Sequence, residues 1–365
     1  MSKVVRLILA AGLIGASGSA NALSSMVTDT EALGMGGAGV SSATDNIGNI
    51  NPALVGSDSR VGKEFYMVPT MHYLHYDIND FKQTLDDFQR NPSADKLHAF
   101  EESGIYYNWA FGFGVVLQGE DAVSTIYVST YSQSYSQLRL DSSDLAVPPA
   151  SGEFASVVET SGLTVVEAGV AYTSDVSWPS WGINDAKFGI TGKVLTGVVH
   201  QSEANVESAS IDGLYDQGES GQGFTLDLGL LKEWGHDWAA GIVVKNLYPV
   251  KLPLADGDDY FYGPQIRTGF TRFGYRYRIA MDVDLTKSRP LGGYDPTQML
   301  SLGADYDLGG YLELRAGLSY DLQGNLPETY NVGLGINGEH FITSLALMSN
   351  GGELSGFGLQ TTVGF

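Results

Sequence analysis

The chain has 365 residues, with 42 Asp and Glu against 20 Lys and Arg, a net charge of -22, 47 glycines and no cysteine. So acidic a chain lacks the basic footprint of a nucleic-acid binder, and without cysteine it holds neither disulfides nor thiolate metal sites. Glycine at about 13%, together with 20 Tyr and 15 Phe, favours many short strands over long helices.

In chain order, Lys3 and Arg6 precede a short apolar run at 7–16, and Ala20-Asn21-Ala22 is a small-x-small cleavage site. This three-part pattern predicts an export signal over 1–22. The run is too short for a spanning helix, which needs roughly 20 residues. Next comes Gly34-Met35-Gly36-Gly37-Ala38-Gly39, which formally fits a dinucleotide fingerprint. No strand precedes it and no βαβ context surrounds it, so the run reads as tight small-residue packing. Asn51-Pro52-Ala53 then suits a turn into the first strand.

From there the pattern alternates with period 2. Strands are predicted near 61–76, 105–118, 122–133, 163–174, 186–201, 223–234, 238–248, 264–272, 275–286, 297–308, 311–321, 329–337, 340–349 and 354–365. One face of each carries Leu, Tyr and Phe; the other mixes Gly, Ser and charges of both signs. That is lipid-out, lumen-in patterning, and fourteen is an even number. The fold class is therefore an all-β, transmembrane antiparallel β-barrel over 61–365. Connections near 119–121, 235–237, 273–274, 309–310 and 338–339 are short, and those at 77–104, 134–162, 202–222 and 249–263 are long. Short turns on one side and long loops on the other match a bacterial outer-membrane barrel. The last strand ends on Phe365, like the terminal strand that the barrel-assembly machinery recognises.

Arg276, Arg278, Asp282, Asp284, Asp305, Asp307, Glu313 and Arg315 share the inner side of adjacent strands. They read either as a neutralised network that props the wall or as the lining of a solute path. Arg267 and Lys187 or Lys193 are candidates for the same network. Trp109, Tyr127, Trp234, Trp238 and Tyr311 fall near strand ends, as headgroup-level rings do. His72 and His75, three apart on a strand, point to opposite faces and cannot share a metal. No G-x-S-x-G nucleophile elbow is present. The reading therefore assigns no catalytic residues, no metal and no cofactor.

The stretch 33–55, LGMGGAGVSSATDNIGNINPALV, resembles the N-terminal segment of the long-chain fatty-acid transporter (FadL-like) family of outer-membrane proteins. Gly34, Gly36, Gly37, Ala38 and Gly39 match its glycine-rich run, and Asn51, Pro52 and Ala53 its Asn-Pro-Ala. The resemblance implies a hatch over 23–60 that plugs a fourteen-stranded barrel. Over 166–170, 186–200, 241–249, 280–286 and 297–317 the chain also resembles outer-membrane proteins named as conjugal transfer TraF. The thioredoxin-like proteins of that name, often with a Cys-x-x-Cys, are excluded by the lack of cysteine.

Passive transport of small hydrophobic solutes is the leading expectation. A structural or assembly component of a conjugation or envelope system and a porin-like hydrophilic channel are the alternatives. Outer-membrane lipid and lipopolysaccharide, the barrel-assembly machinery, a hydrophobic small-molecule ligand and an envelope protein are the candidate partners. The inward positions read from the sequence are polar, so no apolar patch is expected in the lumen.

Overall fold

The structure, a computed structural model, describes residues 29–43, 47, 49–55, 65–78, 80–100, 103–119, 122–146, 154–178, 183–209, 218–254, 257–288, 291, 295–350 and 353–365. The export signal expected at 1–22 lies outside them.

Sixteen strands are present among these residues. In chain order they are β1 (Phe65–Ile78), β2 (Gly104–Gln118), β3 (Ala122–Arg139), β4 (Val157–Trp178), β5 (Ile183–Asn205), β6 (Gly218–Trp234), β7 (Trp238–Lys245), β8 (Val250–Pro253), β9 (Asp259–Tyr262), β10 (Gln265–Phe273), β11 (Tyr277–Asp284), β12 (Met299–Asp307), β13 (Leu312–Asp321), β14 (Thr329–Asn337), β15 (Phe341–Asn350) and β16 (Glu353–Gly364). Fourteen of them close an antiparallel barrel, and β8 with β9 forms a separate hairpin. Each of the fourteen overlaps a strand expected from the alternation. The ring shuts where β1 meets β16, with Tyr66 opposite Gly364 and His72 opposite Gly358. Closure leaves no unpaired edge for hydrocarbon to meet.

Burial alternates along each wall strand. Phe111 and Phe113 on β2, Val166 and Val170 on β4, Ile279 and Met281 on β11, and Leu345 and Leu347 on β15 face outward and are exposed. Their neighbours Ala110, Glu167, Ala280 and Ala346 face inward and are buried. Of the rings expected at headgroup level, Trp109, Trp234 and Tyr311 are exposed and Trp238 is half-buried, but Tyr127 is turned inward and buried.

The wall has two heights. β11 to β14 have 8 to 10 residues each, close to the roughly 9–11 needed to span a bilayer. β4 has 22 and β5 has 23, so this side stands well beyond the membrane. On its outward face Ile105, Leu138, Val158 and Val206 are covered by two helices from the first long loop. These are α2 (Phe81–Arg90) and α3 (Ala94–Phe100), which contribute Phe81, Leu85, Phe88, Leu97 and Phe100. A patch that would otherwise be apolar and wet is thereby buried.

On the inward face of the same wall, β8 and β9 fold into the upper lumen. Leu252 packs where Gly197 of β5 has no side chain, and Val250 packs on Gly223 of β6. Leu163, Val165, Leu195 and Val199 join Leu252, Tyr260 and Tyr262 in one buried cluster. The lumen therefore does contain an apolar patch, contrary to expectation. It was hidden because β4 and β5 carry apolar residues on both faces, so alternation gives no contrast there.

Candidate functional site: the hatch and the cavity above it

Of the hatch expected at 23–60, the described residues are 29–43, 47 and 49–55, and these fill the middle of the barrel; the others lie outside the described residues. The hatch helix, α1 (Thr30–Gly34), starts at Asp29, whose carboxylate accepts from the Ala32 N–H at 2.9 Å. This satisfies one of the helix's orphan donors. Gly36 and Gly37 then adopt φ values of 71° and 88°, a left-handed turn that side chains resist. Asn51 holds the far end together: its Nδ2 donates to Val40 O at 2.8 Å, and its Oδ1 accepts from the Ala53 N–H at 3.0 Å. Pro52 opens the short 3-10 turn Pro52–Leu54, where no N–H is needed. Gly34, Gly36, Gly37, Gly39, Asn51, Pro52 and Ala53 thus all lie in the segment that occupies the lumen.

Glycine in the wall makes room for this segment. A Cβ on Gly317 of β13 would overlap the backbone of Met35 and Gly36, and one on Gly229 of β6 would overlap Asn51. Beside Gly229, Gly241 of the neighbouring β7 faces the Val40 carbonyl, and Gly114 of β2 faces Ile47. The hatch therefore touches the wall on several sides, backbone to backbone. Every described hatch residue except Leu33 is buried.

Polar bonds fix it there. Asp282 accepts from the Gly39 and Val40 N–H groups at 2.7 and 2.9 Å. Arg267 donates to Gly37 O at 2.9 Å, Asn331 to Leu33 O at 2.8 Å, and Thr173 to Pro52 O. The Thr30 N–H reaches Gln360 on the last strand at 3.2 Å. Glu31 is central: it pairs with Arg278 and lies 4.0 Å from Arg315. Arg278 and Arg315 both reach Asp305, at 3.2 and 2.9 Å, and Arg315 also holds Glu313 at 2.5 Å. Arg267 binds Asp284 at 3.2 Å and stands 3.5 Å from Asp282. Backbone N–H groups supply donors to Asp282 that the arginines do not.

The structure thus gathers Arg278, Asp282, Asp284, Asp305, Glu313 and Arg315 with Arg267 and Glu31. Two of the expected lumen charges lie elsewhere. Arg276 is exposed on the β10–β11 turn, with its guanidinium 5.8 Å from the Tyr275 ring centre. Asp307 accepts from the Gly309 and Gly310 N–H groups and closes the β12–β13 turn. Alternation ends where a strand ends, and both residues stand at that boundary. Lys193 belongs to a separate buried cluster, 3.0 Å from Glu167 and 2.9 Å from Asp227. Lys187 lies towards the short turns with Glu233. Phe365 is exposed beyond the end of β16.

Asp29 is buried beside Glu31. Loss of water, and then the Glu31 charge, push its carboxyl up from 3.8 to about 6.

Above the hatch is a cavity of about 100 Å³. Leu33, Gly36 and Gly37 form its floor. Leu74, Tyr76, Tyr106, Met299, Leu326 and Met348 supply apolar surface, and His72, Asn108, Arg267 and Asn331 supply polar groups. His72 points inward and His75 outward, where it meets Tyr73 and Tyr107. Among the described residues no group of three or more His, Asp or Glu is placed to hold a metal ion.

No family model matches the chain, and no curated protein matches it. Solved structures do. A TodX monoaromatic hydrocarbon channel lacking S2 matches with a TM-score of 0.58 and 14% identity, over 93% of this chain and 97% of its own. The Ralstonia pickettii toluene transporter TbuX matches at 0.57 and 12%, over 92% and 96%. The Pseudomonas putida toluene transporter TodX matches at 0.54 and 12%, over 94% and 96%. The chain shares their fold. At such identities the likeness concerns architecture and covers nearly the whole length of both partners.

Sequence reasoning missed Glu31, Asn331, Gln360 and the His72–Asn108 pair. Glu31 carried a signal: with Asp29 it forms an acidic pair just ahead of the glycine run. The others were ordinary polar residues on inward positions, and only register brings them to the hatch.

Proposed function

We propose that this protein is a passive channel of the bacterial outer membrane for small hydrophobic solutes, gated by residues 29–55 and without catalytic chemistry. The observation that carries this reading is the cavity roofing the hatch. It is a largely apolar space whose floor is the closure itself, so an occupant rests on the part that must move. The shared architecture with proteins described as monoaromatic hydrocarbon channels and toluene transporters supports the same class of solute. Vesicles with lipopolysaccharide in the outer leaflet, carrying the protein, are expected to take up labelled toluene faster than empty ones. Uptake no faster than the empty control would sink the proposal.

The buried hatch argues against a porin-like hydrophilic channel, because a water path needs an exposed lumen. A planar bilayer holding the intact protein is expected to show no steady ionic current. The conjugal-transfer reading rests on the sequence resemblance alone. It is tested by deleting the gene and measuring mating frequency, where an unchanged frequency removes it.

A further inference from the structure

Three buried polar atoms on residues lining this cavity make no hydrogen bond among the described residues: Arg267 Nε, which faces the Asp282 carboxylate at 3.5 Å, and the acceptors His72 Nδ1 and Asn331 Oδ1. The chemistry of the last two is set by what the rest of each side chain does. Asn331 spends its amide NH₂ on Leu33 O at 2.8 Å, so its free oxygen can only accept. His72 Nε2 stands 3.2 Å from Asn108 Oδ1, and Asn108 Nδ2 donates to the Tyr106 hydroxyl at 3.2 Å. An amide oxygen accepts, so Nε2 carries the proton and Nδ1 of the neutral ring is an acceptor. The cavity thus presents two unanswered acceptors. Its one cation, Arg267, is already bonded to Asp284, Gly37 O and Ser301.

Buried acceptors without donors are costly, and native structures rarely leave them so. A purely hydrocarbon occupant would leave both unmet. A carboxylate would bring more acceptors to acceptors, with no uncommitted cation to hold it. A hydroxyl-bearing ring answers one of them: its face meets Leu33 and Met348, and its single O–H supplies one donor. The volume, about 100 Å³, is of the same order as the roughly 150 Å³ apolar cavity that takes one benzene ring.

We propose that the cavity selects single-ring phenols over the corresponding hydrocarbons and over carboxylates, with His72 Nδ1 as the acceptor that reads the hydroxyl. This deepens the channel reading above and rests on it.

The test is fluorine NMR of the intact protein in nanodiscs, with empty nanodiscs correcting for partition into lipid. The probes are 4-fluorophenol, 4-fluorotoluene, 4-fluoroanisole (which accepts but cannot donate) and 4-fluorobenzoate. Saturable binding of the phenol roughly tenfold tighter than the toluene or the anisole is expected, as one hydrogen bond supplies. The benzoate is expected not to compete. His72→Phe should bring phenol and toluene together while toluene still binds. Met348→Trp, which fills the cavity, should abolish saturable binding of both. Should His72→Phe fail to fold, the wild-type series and Met348→Trp still decide. Equal binding of phenol, toluene and anisole would overturn the selection proposal and leave the channel reading standing. No saturable binding of any probe would overturn both.

Discussion

Glu31 meets arginines from two strands, Arg278 on β11 and Arg315 on β13, and all three are buried. Removing one member of such a set strands the others' charge, at a cost on the order of 3–5 kcal/mol. Glu31→Ala is therefore expected to loosen the hatch, read as brief current openings in planar bilayers where the native protein is silent. Asp29 adds a dependence on pH. Its carboxyl is raised to about 6 in the seated hatch, against an ordinary 3.8 when the hatch is free. The seated form binds the proton more readily, so seating is favoured at low pH and weakens as pH rises from about 4 to 6, then levels off. Openings should be rarer at pH 4.5 than at pH 7.5, and Asp29→Asn, which keeps an acceptor for the helix cap, should erase that difference. Equal opening frequencies in the native protein at both pH values would count against this role. At this scale the inward charges on β11 to β13 were legible because alternation assigns a face. Their partners were not, because pairing depends on register and on a segment that belongs to no strand.

The element that decides closure is the hatch, and it is accepted by glycines more than by pockets. Gly317→Val would push a branched side chain into the Met35–Gly36 backbone. The hatch, not the strand, should yield, because β13 stays paired with β12 and β14 across its length. The expected result is a permanently conducting protein whose folded band on an unheated gel is unchanged. Loss of that folded band would mean that the wall gave way instead. Fourteen strands were readable because one face is greasy and the other small or charged. The upper part of β3 was not: Ser129, Tyr131, Gln133 and Tyr135 alternate with Thr130, Ser132, Ser134 and Ser136, and neither face is aliphatic. β8 and β9 were also missed, since four residues each, inside a long loop, give too short a run for period 2.

For the molecule as a whole, barrel and hatch make separable contributions. Strand pairing closes the ring through β1 and β16 without any hatch residue. A chain lacking 29–55 is expected to form a barrel that resists unfolding on an unheated gel yet passes steady current in a bilayer. A closed, silent barrel would show that the hairpin of β8 and β9 can seal the upper lumen by itself. The bonds across the seam also impose an order in time. Thr30 is among the first described residues to leave the ribosome, and its partner Gln360 lies 330 positions later, on the final strand. The opening segment must therefore wait, unanchored at that point, until synthesis is all but finished. Its seating is a late event in the protein's own biogenesis, and only a chain made through to its last strand can complete it.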